Sequence, residues 1–544
     1  MKVLLIYPVF PTSFWSFEKA VEGIGKKAFM PPLSLVTVAA LLPQSWEFRL
    51  VDRNIEDLTE EDWDWAEMVM VSGMIVQQID FLSQIEEAKR RNLPVAVGGP
   101  YATSLPNDML DAGADFLVLD EGEDTIPLFI KALERGEKSG IFRSKEKPDV
   151  SRTPIPRYDL LKMDAYFLMA IQYSRGCPFR CEFCDIIILY GRKPRTKTPS
   201  QVMEEMQLLF DLGWRGGIFF VDDNFIGNKR TVKPFLKELI KWQEHNGYPF
   251  SFSTEASIDM AQDDELLELM VLSKFSTVFI GIETPDTESL KHTLKHQNNR
   301  APMSESLEKI ARAGLRITGG FIIGFDGEEK GAGQRVFDFV TENALPSVTY
   351  SMLQALPNTA LWDRLKKEGR LMDSANLNQT TLMNFKPTRP IEDIAEEYVD
   401  AFWKLYEPKN YLKRVYDHFM MVGTAKVHSD PELRRKLKNQ HKTDFDYKGI
   451  LFGLKMVWKL GFYRSTRFVF WKYLLGMYRH NRGGIGNFFS FSVFMEHFIP
   501  YRKMVKAEIE EQLALRRNEQ PYSAQPEIAL KEEKALEVEW YKAS

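Results

Sequence analysis

"YSRGCPFRCEFCDI", residues 173–186, holds Cys177, Cys181 and Cys184, and the rest of the 544-residue chain has no cysteine. Spacings of three and two residues let one loop wrap three thiolates around one face of a metal centre. A structural zinc site needs a fourth ligand, commonly from a second Cys or His pair, and no pair with suitable spacing is present. Iron–sulfur cubanes usually take four cysteines, so three leave one iron free to bind a small molecule by amino and carboxylate groups. Three clustered thiols cannot form a disulfide framework either, so a reducing, cytoplasmic compartment is expected.

Outward from this stretch the chain reads as α/β. The cysteines follow the first of six predicted strands, near 169–175, 216–222, 249–256, 277–283, 316–325 and 347–355. Helical patterns such as "PSQVMEEMQLLFDLG" and "RTVKPFLKELIKWQEH" separate them. Six βα units closing on themselves predict a partial (β/α)6 TIM-like barrel over 166–390, with its active site at the strand carboxyl ends. Ahead of it, strands at 2–8, 47–54, 68–75, 94–100 and 116–121 alternate with helical patterns. They predict a doubly wound, Rossmann-type domain over 1–143. Its turns "LVDRN", "VSGMI", "VGGP" and "LDEGE" place Asp52, Ser72, Gly98, Gly99, Glu121 and Glu123 along one crevice. The absence of GxGxxG argues against a nicotinamide cofactor. Residues 144–165 read as an ordered, irregular linker, 391–506 as a helical, basic and aromatic region, and 507–544 as a charged, solvated or weakly helical tail.

With 44% hydrophobic and 27% charged residues the composition is that of a globular protein. No run approaches the roughly 18 apolar residues needed to cross a bilayer. The opening "MKVLLIYPVF" is broken by Pro8 and reads as a strand, not a signal peptide. The net charge of -5 hides an asymmetry: residues 409–506 carry 20 Lys and Arg against 6 Asp and Glu, while 507–544 carry 5 against 9.

The CxxxCxxC spacing, with aromatic Phe183 before the last cysteine, resembles the signature of radical S-adenosylmethionine (SAM) enzymes. The resemblance implies a 4Fe-4S cluster on Cys177, Cys181 and Cys184, and reductive cleavage of SAM to a 5′-deoxyadenosyl radical. It further implies SAM contacts from "GGIFFVDDNF" (Gly217, Asp222, Asp223), "FSFSTEAS" (Glu255), "VFIGIE" (Gly281, Glu283) and "GGFIIGFDGE" (Gly320, Gly324), with Phe183 alongside. A doubly wound domain before such a barrel is similar to the cobalamin-binding domain of cobalamin-dependent radical SAM enzymes. The matching turns are "AVGGPYAT", with Gly98, Gly99 and Pro100, and "VLDEGEDTIPLF", with Glu121, Gly122 and Glu123. Residues 1–150 contain no histidine. The expectation is therefore a base-off, histidine-off cobalt beneath the "VSGMIVQ" turn near Met74, with Ser72 and Asp52 nearby.

The whole layout resembles hopanoid C-2 methylases and their uncharacterised relatives. That implies a C-methyltransferase acting on an apolar, polycyclic isoprenoid lipid, driven by a reductant such as ferredoxin or flavodoxin. The alternatives are a radical cyclase of tetrapyrrole or pigment metabolism, a tRNA-modifying radical SAM enzyme, which would need further cluster cysteines, and a non-enzymatic cobalamin or Fe–S sensor. For the basic aromatic region, where Lys455 and Lys459 share a helical face beside Leu451, Leu454, Val457 and Trp458, two readings stand. It is a helical cap packed on the barrel, or it makes peripheral contact with an anionic membrane. Nucleic acid is the less favoured partner.

Overall fold

The computed structural model describes residues 1–372, 377–441 and 447–518. The N-terminal domain is a six-stranded parallel sheet in the order β2-β1-β3-β4-β5-β6. Its strands are β1 Lys2–Tyr7, β2 Glu47–Asp52, β3 Met68–Ser72, β4 Val95–Gly98, β5 Phe116–Val118 and β6 Gly140–Phe142. Val3, Leu4, Leu5 and Ile6 of β1 are all buried, the continuous apolar run expected of a parallel strand covered on both faces. The strand order reverses at β1, with β2 on one side and β3 on the other, so a ligand crevice is expected at the carboxyl edge there. The sixth strand was not anticipated from sequence.

The segment 144–165 is ordered by three short 3-10 turns, Val150–Arg152, Tyr158–Leu160 and Met163–Ala165. The second sheet follows, with all strands parallel and in the order β14-β13-β12-β11-β10-β7. Its members are β7 Leu168–Ile171, β10 Gly217–Phe220, β11 Ser251–Glu255, β12 Phe275–Glu283, β13 Arg316–Ile323 and β14 Ser347–Met352. A two-residue antiparallel pair, β8 Ser174–Arg175 with β9 Arg195–Thr196, stands apart. The helix Pro199–Asp211 between β9 and β10 starts at a capping box, Thr198 with Gln201, and carries Pro199 in its first turn.

The barrel does not close on itself: β7 and β14 are the two edges of the sheet. Residues 13–29 and the helix Ile485–Asn518 fill the gap. Leu168 N–H at the start of β7 donates to Phe29 O at 2.9 Å, and Phe14 N–H donates to Gln379, whose amide donates to Thr349 Oγ1 on β14. Phe14 stacks on Phe498, Phe17 packs on Phe494, and Trp15 meets Phe279 of β12 edge-on. Aromatic rings thus take the place of further strands, because a cluster of buried rings can cover a wide gap without leaving backbone groups unpaired.

The helix Ile391–Leu405 packs on β14, and Pro408–Val422 packs against the helices Met303–Ala313 and Ile485–Asn518. The helix Ile485–Asn518 runs to Asn518, so the first twelve residues of the expected tail continue a packed helix, with Ile509 and Leu513 buried. Residues 519–544 lie outside the described residues. No helix among the described residues is long and apolar enough to cross a membrane.

Candidate active site

The cysteine loop is pinned at its base. After β7 the chain pairs β8 with β9, which sets Arg175 against Arg195 and leaves 177–184 on the enclosed arc. Gly176 has φ +94°, and a Cβ there would lie 2.7 Å from Gly191 O. A side chain is excluded by both conformation and space. Asp222, just after β10, accepts hydrogen bonds from Tyr173 N–H (2.8 Å), Ser174 N–H (2.7 Å) and the Ser174 hydroxyl (2.6 Å). Asp223 accepts from Gly176 N–H at 2.7 Å. Burial raises both carboxyls, Asp222 to about 7 and Asp223 to about 6, against the pull of these donors.

Burial also pushes all three thiols up. For Cys181 the Lys295 ammonium opposes that rise, and for Cys184 the nearby Asp185 adds to it. The sulfurs influence one another as well. Three thiolates in so enclosed a place need a cationic centre among them. Among the described residues no three His, Cys, Asp or Glu side chains are gathered around a single-ion site. A tetrahedral ion with 2.3 Å bonds would hold its thiolates roughly 4 Å apart, whereas a polynuclear cluster spreads them further. Three thiol donors on one loop suit a 4Fe-4S cluster that leaves one iron open. Two side-chain amides reach the sulfurs: Gln297 Nε2 lies 3.7 Å from Cys181 Sγ, and Asn224 Nδ2 lies 3.9 Å from Cys177 Sγ.

The register places Ala170, Phe219, Ser253, Glu255, Phe279, Gly281, Gly320, Ile322 and Thr349 on the lumen side of the sheet. Most are small or apolar. A Cβ on Gly320 would lie 2.8 Å from the Phe279 ring, and one on Gly281 would lie 2.5 Å from Glu283 Oε1 and 2.7 Å from Lys295 Nζ. Glu283, at φ +67°, pairs with Lys295, both buried. Burial works against the Lys295 charge, yet Glu283 and the Cys181 sulfur keep its pKa raised. The Lys295 ammonium also sits 5.9 Å from the Phe183 ring centroid. Glu255 lies at the carboxyl end of β11. Burial, with Asp223 and Glu283 nearby, raises it to about 8.

Not every expected SAM contact faces this space. Asp222 is 1% exposed and is used up by the cysteine loop. Gly217 opens β10 at the far end from the thiols, and its missing side chain makes room for Leu168. Gly324 has φ +100° and packs beneath Met383, with its N–H held by Glu328 at 2.9 Å.

In the N-terminal domain a cavity of about 310 Å³ runs from between the helices Leu33–Leu41 and Gly122–Glu134 to the mouth of the barrel. Ser72, Gly98, Gly99, Pro100, Glu121, Gly122 and Glu123 line it, together with Gln172, Arg175, Tyr190 and Asp223 from the barrel side. Gly99 has φ +85° and a Cβ there would lie 2.5 Å from Ser72 Oγ, so no side chain at this position can fill the cavity. Two expected residues are absent from the lining. Asp52 is buried elsewhere, bonded to Asn54 and to the Tyr166 hydroxyl at 2.9 Å. Met74 stands on an outer turn, 49% exposed.

Glu121 and Glu123 are not free to face a ligand alone. Arg175 Nη1 lies 2.8 Å from Glu121 and 2.9 Å from Glu123, and Arg195 grips both oxygens of Glu121 at 2.7 and 2.9 Å. Arg175 draws Glu123 down to about 2 in spite of its burial. Arg175, Arg195, Asn224, Lys295 and Gln297 went unnoticed in the sequence. Arg175 and Asn224 stand inside the very stretches that carry the cysteines and "VDDNF", whereas the others bear no local signal.

Three families match the chain in series: a B12 binding domain over 26–130, the Radical SAM superfamily over 171–340, and a Domain of unknown function (DUF4070) over 359–511. An uncharacterized methyltransferase of Synechocystis sp. is 56% identical over 515 residues, covering 94% of each chain. The hopanoid C-2 methylase of Rhodopseudomonas palustris is 35% identical over 508 residues, 92% of this chain and 94% of the relative. Among solved structures, the radical SAM methyltransferase TsrM from Kitasatospora setae, with cobalamin and a 4Fe-4S cluster bound, aligns with a TM-score of 0.59 at 15% identity over 92% of this chain and 99% of its own. The cobalamin-dependent SAM radical enzyme OxsB aligns with a TM-score of 0.58 at 15% identity over 94% and 83%. With two fitted sites in one fold and full-length relatives of this identity, the chain belongs to the cobalamin-dependent radical SAM methyltransferases, the enzymes that use a 4Fe-4S cluster, SAM and cobalamin.

Proposed function

We propose that the protein methylates an unactivated carbon of an apolar, polycyclic isoprenoid, a hopanoid-like lipid. The observation that carries this reading is the lumen, where glycine, alanine and aromatic residues surround a space whose charged groups, Glu255 and the Glu283–Lys295 pair, lie at the cysteine end. The 35% identity to a hopanoid C-2 methylase over nearly the whole chain supports it. When bound, the cluster supplies the electron that cleaves SAM to a hydrogen-abstracting radical, and cobalamin carries the methyl group.

The chain's own part is to hold, orient and exclude. Cys177, Cys181 and Cys184 hold the cluster on a loop fixed by Asp222 and Asp223. Phe183, Glu255, Gly281, Glu283 and Gly320 form the SAM side, with Lys295 as the cation that meets a carboxylate. Ser72, Gly98, Gly99, Pro100 and Gly122 floor a cavity whose 310 Å³ suits the nucleotide arm of cobalamin rather than a whole corrin. The aromatic seam keeps water from the lumen, which a reactive radical requires. A one-electron donor of ferredoxin or flavodoxin type completes the system.

The test is anaerobic turnover with SAM, a reductant and lipid extract. Formation of both 5′-deoxyadenosine and S-adenosylhomocysteine, with a methylated lipid, is expected. A Cys181→Ala variant should lose iron–sulfur absorption and both products. 5′-Deoxyadenosine alone would favour a non-methylating cyclase, and an unchanged lipid profile in cells lacking the protein would remove the isoprenoid substrate.

A further inference from the structure

One face of the molecule is apolar where solvent should be. The helices Tyr447–Trp458 and Arg467–His480 follow one another through a π-turn, Lys459–Tyr463, which both contact. The first helix has two apolar sides. Met456 and the partly buried Phe452 turn inward, whereas Ile450, Leu454 and Trp458, spaced by four, line the opposite face. Leu451, Leu454, Trp458, Phe462, Tyr463 and Phe468 are each between 57% and 73% exposed. Isolated exposed apolar residues need no explanation, but a contiguous set of this kind marks an interaction surface.

Its charge names the occupant. From Tyr447 to Met495 there is no Asp or Glu and there are eight Lys or Arg. The next acid, Glu496, is already paired with Lys459 and Arg464, at 2.6 Å each. Lys455, Lys472, Arg479 and Arg482 are exposed around the apolar rings. A second copy of the chain would bring two such basic faces together, which like charge disfavours. Single-stranded nucleic acid uses basic and aromatic groups but gains nothing from Ile450, Leu451 and Leu454. Aliphatic side chains that enter an acyl layer, Trp and Tyr at its border and Lys and Arg reaching its head groups together match a bilayer surface.

We infer that the helical segment 447–480 docks the protein on an anionic membrane. The first of these helices also leans on the barrel's seam: Gly23, in the segment that fills the gap between β7 and β14, packs directly against the Phe452 ring. A docked molecule thus turns its seam toward the lipid phase. The use of that arrangement in delivering substrate rests on the isoprenoid reading above, whereas the docking itself does not.

The full-length holoprotein is sedimented anaerobically with phosphatidylcholine vesicles and with mixed phosphatidylcholine–phosphatidylglycerol vesicles, without SAM or reductant. Binding to the mixed vesicles, weakened by high salt, is expected. Leu454→Glu with Trp458→Glu should weaken it about tenfold or more, and Lys455→Glu with Lys472→Glu should abolish the preference for the anionic lipid. Both pairs are solvent-facing, so cluster absorption and circular dichroism should stay unchanged. Wild-type protein left in the supernatant with anionic vesicles overturns the inference, as does undiminished binding by the Leu454→Glu/Trp458→Glu variant. So does a dimer that this variant turns into a monomer without vesicle binding, or binding of single-stranded RNA in place of vesicles. Failure here leaves the methyl-transfer reading intact, and missing S-adenosylhomocysteine leaves the docking intact.

Discussion

At the scale of the residue, the amides of Gln297 and Asn224 set the electrostatics of the sulfurs they approach. A hydrogen bond to a ligand sulfur stabilises the more negative, reduced cluster and so raises its potential. Gln297→Leu, which keeps the volume and removes the donor, should therefore lower the midpoint potential. A bond that contributes about 1.4 kcal/mol corresponds to about 60 mV for one electron. Potentiometric titration followed by electron paramagnetic resonance checks this, and an unchanged potential would assign Gln297 to packing alone. The cysteines were legible because their chemistry depends on local spacing. Gln297 was not, since it reaches Cys181 across 116 residues of chain from a stretch whose composition is merely polar. Asp222 illustrates a different limit: a strand-end carboxylate is readable from sequence, but not whether a distant loop folds back and donates its amides to it.

At the scale of elements, the junction between the two sheets is a buried ion-pair network. Glu121 and Glu123 begin the helix Gly122–Glu134, and Arg175 and Arg195 face one another across β8 and β9. Both acids are 2% exposed at the side chain and both arginines 12–13%. Removing one partner from such a set leaves an uncompensated charge, at a cost of about 3–5 kcal/mol. Glu121→Gln should thus lower the unfolding free energy of the holoprotein, read from urea titration, by that order, while Glu121→Gln combined with Arg195→Leu should cost less than the sum of the single changes. Additive losses would mean that the pair is not coupled. The strands that flank the network were largely readable, because parallel strands covered on both faces write themselves as apolar runs. β6 was not, since three residues, "GIF", between charged stretches carry no such run. The partial barrel was expected and is found, but what covers its open side was not legible, because the filling of the gap between β7 and β14 is a matter of tertiary geometry. The aromatic residues that fill the gap lie at 14–17 and 494–501, far from either edge in the chain.

At the scale of the molecule, the base of the barrel holds positive charge that, among the described residues, no acid meets. Arg316 opens β13 and donates to Ser276 O, Thr277 and Asn487. Arg414 donates to Leu345 O at 2.9 Å and Leu405 O at 2.6 Å. Burial draws both guanidiniums down to about 10. His418, one turn after Arg414 on the helix Pro408–Val422, is 1% exposed in this setting. Burial and then Arg316 push its pKa from 6.5 down to about 3, against a small opposing pull from the Ala344 backbone. The folded protein therefore keeps this ring neutral while the unfolded chain protonates it, so the unfolded state binds more protons at any pH between about 3 and 6.5. Stability must then fall as pH falls through that window, by about 1.4 kcal/mol per unit. Between pH 7.5 and 5.5 the loss assigned to His418 is about 1.4 kcal/mol, since at the upper value the ring is neutral in both states. His418→Leu abolishes this contribution. Urea unfolding of the holoprotein at the two pH values should show a smaller acid loss for the variant than for the wild type. Equal losses would mean that the ring is protonated inside the fold, and that the base of the barrel tolerates a third positive charge.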